Sequence, residues 1–109
     1  MYPAADIPVV QLSIDETRAA DFDFEIGRKL APLRGEGILI VGSGNLVHNL
    51  HAYAWGRHMP DPYDWAVRFE SEAKQMMLAE EYKPLIRYDR VGPEAMLSIP
   101  TPDHYLPLL

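Results

Sequence analysis

The sequence predicts an α/β fold in which a central, mostly parallel sheet is flanked by helices. Three observations carry that expectation. Two short β-branched apolar runs, "PVVQLSI" and "GILIV", flank a segment whose apolar residues recur at helical spacing. A strand, a helix and a second strand in that order imply a right-handed βαβ unit. A further segment, beginning near Pro62, again has helical periodicity.

The first predicted strand runs from Pro8 to Ile14, with Val10, Leu12 and Ile14 on one face and Val9, Gln11 and Ser13 on the other. A helix follows, capped by Asp15 or Asp21, in which Phe22, Ile26, Leu30 and Leu33 form the apolar stripe. Arg28, Lys29 and Arg34 lie toward its negative C-terminal end, and Gly35 is expected to close it. Pro32 removes a backbone donor and should distort the last turn. "GILIV" then has the unbroken apolar character of a strand covered on both faces.

After the loop "WGRHMPDPYD", Asp61 and Pro62 have the pattern of a cap with proline at the first helical position. Trp65, Phe69, Ala73, Met76 and Met77 form that helix's buried stripe, which reads as core packing, while Glu70, Glu72, Glu80 and Glu81 form a solvated face. The tail "GPEAMLSIPTPDHYLPLL" predicts a short helix after Gly92 and then an irregular end. No repeat or linker interrupts the chain, so residues 1–109 are expected to form a single domain.

Composition narrows the function. The chain is 48% hydrophobic and 24% charged, as in ordinary soluble domains. Sixteen acidic residues against ten Lys and Arg give a net charge of −6 with no basic cluster, which argues against nucleic-acid binding. There is no cysteine, so thiolate catalysis and disulfides are excluded, and any metal site must use His, Asp or Glu. No apolar run approaches the roughly 20 residues of a membrane span, and the start has no signal-peptide pattern, so a cytoplasmic location is expected.

The chemistry-bearing residues are four histidines. His48 follows the second predicted strand within "GSGNLVHN", at the carboxyl end where α/β sheets bind ligands. Gly42 and Gly44 permit close approach of a substrate, and Ser43 and Asn45 can donate to its oxygens. The same residues also fit a plain turn in which Asn45 caps a helix bearing an indifferent His48. His51, three residues on, could chelate a metal together with His48 if the stretch is helical. His58 lies in a polar loop, and His104 is stiffened by Pro100, Pro102 and Pro107. "GSGNLV" matches neither a phosphate loop nor a dinucleotide fingerprint, and no hydrolase elbow occurs.

Three stretches, "YPAADIPVVQLSID", "GRKLAPLRGEGILIVGSGNLVHNL" and "PTPDHYLPLL", together resemble the C-terminal half of the DODA-type, LigB-like class III extradiol ring-cleavage dioxygenases. The resemblance implies O2-dependent opening of a catechol such as DOPA at a non-haem metal, Fe(II) or Zn(II). It implies that His104 is a metal ligand, that His48 is the acid and base, and that Ser43 and Asn45 contact the substrate. Nothing carries over to His51 or His58. It also implies two further histidine ligands from an N-terminal half that this sequence does not contain. The chain is therefore expected to be a piece of a larger fold, inactive alone, that meets a complementing N-terminal chain or forms a homo-oligomer. The alternative expectation is a non-catalytic oligomerising or binding remnant of that fold.

Overall fold

The structure is a computed structural model, and it describes residues 3–56 and 61–109. Four α-helices occur among these residues: α1 (Ala20–Leu30), α2 (Asp64–Leu78), α3 (Tyr82–Ile86) and α4 (Pro93–Ser98). Short 3-10 turns span Ala31–Glu36, Tyr88–Arg90 and Leu106–Leu108.

The predicted sheet is not there. No strand occurs among the described residues, so the α/β expectation gives way to helices joined by irregular and extended backbone. The reason is that a strand is defined by a partner as well as by its side chains. No backbone hydrogen bond of the described residues reaches Pro8–Ile14, and Ile38 is tied only to Leu33 at the preceding turn. Both runs are therefore unpaired and uncovered, with Val10 93% and Leu39 75% exposed. The alternation in the sequence records sides of an extended chain; it does not supply the neighbour.

The helices follow the apolar periodicity more closely. In α1 the acids Asp21 and Asp23 stand in the first turn and Arg28 and Lys29 in the last, each complementing the local end of the helix dipole. No side chain caps it: Ala19 is the N-cap, and Asp15 instead accepts from the Thr17 backbone N–H at 3.1 Å. Pro32 ends the α-helix and opens the 3-10 turn. The turn closes at Gly37, φ 81°, and not at Gly35, because only Gly37 takes the left-handed conformation there.

Helix α2 starts at Asp64, slightly later than the Asp61–Pro62 pattern predicts, and buries Phe69 and Ala73 as expected. Met76 and Met77 pack against that core while Glu70, Glu72, Glu80 and Glu81 are exposed. The segment Tyr82–Arg90, with no marked periodicity in the sequence, supplies α3 and a 3-10 turn and buries Leu85.

The core lies where α2, α3, α4 and the C-terminal turn meet: Phe69, Ala73, Leu85, Ala95, Ile99 and Tyr105. Tyr105 is 1% exposed, and its hydroxyl donates to the Leu85 carbonyl at 2.8 Å, so this buried phenol is fully bonded. Burial holds its pKa well above the ordinary tyrosine value. An ion pair from Arg68 to Glu94, 3.3 Å, joins α2 to α4 at the surface. No helix among the described residues is long and apolar enough to cross a membrane.

Candidate active site

His48 and His104 reach one point by different routes. His104 immediately precedes the buried Tyr105 and Leu106, so its backbone is anchored by the core. The segment 42–45 lies against it: Asn45 N–H donates to the His104 carbonyl at 2.9 Å. A Cβ on Gly42 would sit 2.5 Å from the Pro107 carbonyl oxygen, and one on Gly44 would collide with that of His104. At both glycines the absence of a side chain admits the backbone of the His104 segment. Three residues further on, His48 N–H donates to the Ser98 carbonyl at 2.7 Å, at the end of α4.

The two imidazoles meet as a result, with centroids 3.8 Å apart and planes tilted by 31°. Both are half-buried. His48 is on irregular backbone, not on a helix that Asn45 caps, because no helix forms between Gly37 and Asp64 among the described residues. Its neighbours are therefore set by tertiary contacts and not by helical spacing.

A third group joins them. Asp103 Oδ2 is 3.5 Å from His104 Nε2, and donor atoms of His48, Asp103 and His104 all lie within 4.8 Å of one another. Imidazole and carboxylate are donors that a divalent metal ion accepts, so these side chains form a candidate metal-binding group. The Thr101 hydroxyl holds the Asp103 carboxyl below the usual carboxylate range against the opposing effect of burial. Its own backbone N–H and the imidazoles of His104 and His48 add smaller effects in the same direction. An ionised carboxylate is the form a cation needs. Asp103 was not singled out by sequence reasoning; its adjacency to His104 in a proline-stiffened motif was the available signal.

His48 also lines a cleft of about 640 Å³ whose walls include Asn45, Tyr53, Asp61, Tyr63 and Trp65. Tyr63 and Trp65 stack at 5.6 Å with planes 15° apart, giving the wall a flat aromatic character. Asn45 is thus beside His48 in the cleft, whereas Ser43 is exposed on the preceding stretch and is not among the lining residues. His51 is exposed and is not a member of the His48, Asp103 and His104 group. His58 lies outside the described residues.

No protein-family model matches the chain. It is, however, 51% identical over its whole length to the 4,5-DOPA dioxygenase extradiol of Escherichia coli (strain K12), covering 41% of that protein. It is 39% identical to the protein of the same name from Portulaca grandiflora, covering 40% of it. A crystal structure of an uncharacterized Escherichia coli K12 protein superposes on 99% of the chain with a TM-score of 0.86 at 50% identity, and the chain spans 45% of that protein. By sequence, the chain is homologous over its entire length to the 4,5-DOPA dioxygenase extradiol proteins, and it spans about two fifths of the length of these curated relatives.

Proposed function

We propose that the chain carries the acid–base histidine and one metal ligand of an extradiol dioxygenase that opens the ring of a catechol such as DOPA. The observation that supports this reading most is the convergence of His48, Asp103 and His104 within 4.8 Å, with His48 on the wall of an aromatic cleft. In this reading His104 holds the metal, Fe(II) or Zn(II), with Asp103 beside it. The metal, when bound, supplies a Lewis acid for both catechol oxygens and a place for O2.

The remaining steps belong to this chain's own side chains. His48, whose imidazole can both accept and donate a proton, takes the second phenolic proton and returns it as the ring opens. Such transfer contributes about 10² to 10⁴ in rate. Tyr63 and Trp65 offer the ring a flat apolar wall, and Asn45 orients the polar groups of the substrate.

Two further metal ligands come from polypeptide outside the matched region, and that polypeptide, or a second copy, covers Val9, Val10, Leu12 and Leu39. The test is to mix the chain with a polypeptide corresponding to the unmatched part of the Escherichia coli relative, load Fe(II), and follow formation of yellow product from DOPA. Product from the mixture and not from the chain alone is expected. A well-formed complex that binds iron and never opens the ring overturns the reading.

The exposed apolar residues also favour a second reading, a non-catalytic module that assembles through them. A purified chain that forms a stable oligomer by light scattering and takes up no stoichiometric iron or zinc supports that alternative.

A further inference from the structure

We propose that Asn49 is a positioning residue that fixes the His48 imidazole against His104; the inference rests on the reading of His48 as the acid–base group. His48 stands on backbone that belongs to no helix or strand, so no repeating hydrogen-bond pattern sets its direction. Its place depends on the few bonds that tie its segment to the rest of the molecule.

Those bonds converge on the end of α4. The last carbonyls of a helix have no partner within the helix. Here the Ser98 carbonyl accepts from the His48 N–H at 2.7 Å, and the Leu97 carbonyl accepts from Asn49 Nδ2 at 2.8 Å. Consecutive residues of the histidine segment thus occupy consecutive carbonyls of α4. The other end of the same amide is also engaged: Asn49 Oδ1 accepts from the Ala52 N–H at 2.9 Å and closes the turn behind His48.

The side-chain amide of Asn49 does both. It donates through nitrogen and accepts through oxygen, and the partners, a carbonyl and an N–H, fix which end is which. An aspartate keeps the acceptor and loses the donor; an alanine loses both. The two sides of the histidine pair are held differently. His104 is held by the buried Tyr105 and Leu106 next to it; the His48 segment is held by Leu46 and Val47, which are partly buried against the core, by the His48 N–H and by the Asn49 amide. Among these ties of the His48 segment, the side-chain hydrogen bonds are those of Asn49.

The experiment uses the isotope-labelled 109-residue chain and proton–proton NOEs between aromatic rings. His48 and His104, centroids 3.8 Å apart, report the site; Tyr88 and Tyr105, centroids 4.8 Å apart, report the core. Asn49→Ala and Asn49→Asp are both expected to lose the histidine cross-peak while keeping the tyrosine one, and only Asn49→Asp retains a slowly exchanging Ala52 amide. A histidine cross-peak of wild-type intensity in either variant overturns the proposal. So does loss of both ring pairs in both variants, since Asn49 would then merely support the fold. Zn(II) added to the wild-type chain separates this from the functional reading. A chain whose ring pair depends on Asn49 but whose His104 resonances ignore Zn(II) retains the positioning role and loses the metal assignment.

Discussion

The imidazole of His48 lies against that of His104, centroids 3.8 Å apart, although one follows an extended glycine-bearing segment and the other precedes the C-terminal turn. The proposed roles of the two rings differ, so their removal should have separable effects. In the proposed complex with a polypeptide corresponding to the unmatched part of the Escherichia coli relative, His48→Ala should lower ring opening about 10²- to 10⁴-fold while leaving the metal content unchanged. His104→Ala should lower the metal content itself. Product absorbance together with elemental analysis checks both, and full activity in the His48→Ala enzyme sinks the acid–base assignment.

Gly44 is where the two segments come closest, and a methyl group there meets the His104 carbonyl oxygen. Because that obstacle is backbone anchored beside Tyr105, the chain has to shift. Gly44→Ala should cost about 1–3 kcal/mol in urea unfolding, the usual scale of overpacking. It should also weaken the His48–His104 contact in NOE spectra. Gly35→Ala, which meets nothing nearby, serves as the control.

The Tyr105 hydroxyl bond to the Leu85 carbonyl is buried in the core. Tyr105→Phe keeps the ring and leaves that carbonyl without its donor, so a loss of about 1–2 kcal/mol is expected in denaturant unfolding. The histidine pair should persist, since Phe still fills the site beside it.

Asp23 in α1 has an oxygen, Oδ2, that is out of contact with solvent and accepts no hydrogen bond among the described residues. Burial raises its pKa above 3.8, with a smaller contribution from Asp15, against the lowering effect of its own backbone N–H. The folded state therefore binds this proton more readily than the unfolded one, and stability falls as pH rises through the window between the unfolded and the raised folded value. At neutral pH the charged carboxylate carries the full penalty. Asp23→Asn should remove it, raising the urea midpoint at pH 7 and flattening the pH dependence just above 3.8. An equal midpoint for both proteins at pH 7 rules the effect out.

Much of α1 and α2 was legible in the sequence because helical periodicity is local: Phe22, Ile26, Phe69 and Ala73 announce their face within one element. The stretch Tyr82–Arg90 was not, since Pro84 and closely spaced charges obscure any stripe around Leu85. In the site, "GSGNLVHN" and "PTPDHYLPLL" were recognisable as separate stretches. The contribution of Asp103, the backbone role of Gly42 and Gly44, and the two-sided bonding of Asn49 were not, because each depends on a residue distant in the chain.

By itself, the sequence determined which chemistry was available: imidazole and carboxylate donors, no thiol, an acidic surface and two amphipathic helices. Tertiary structure alone decided that Val9–Leu12 and Ile38–Val41 are without strand partners among the described residues. It alone also decided that His48 meets His104 and Asp103. The reason is that side-chain periodicity is a property of a few consecutive residues. Pairing and convergence depend on the path of the whole chain, set here by burial of Tyr105 and by the close backbone approach that Gly42 and Gly44 permit.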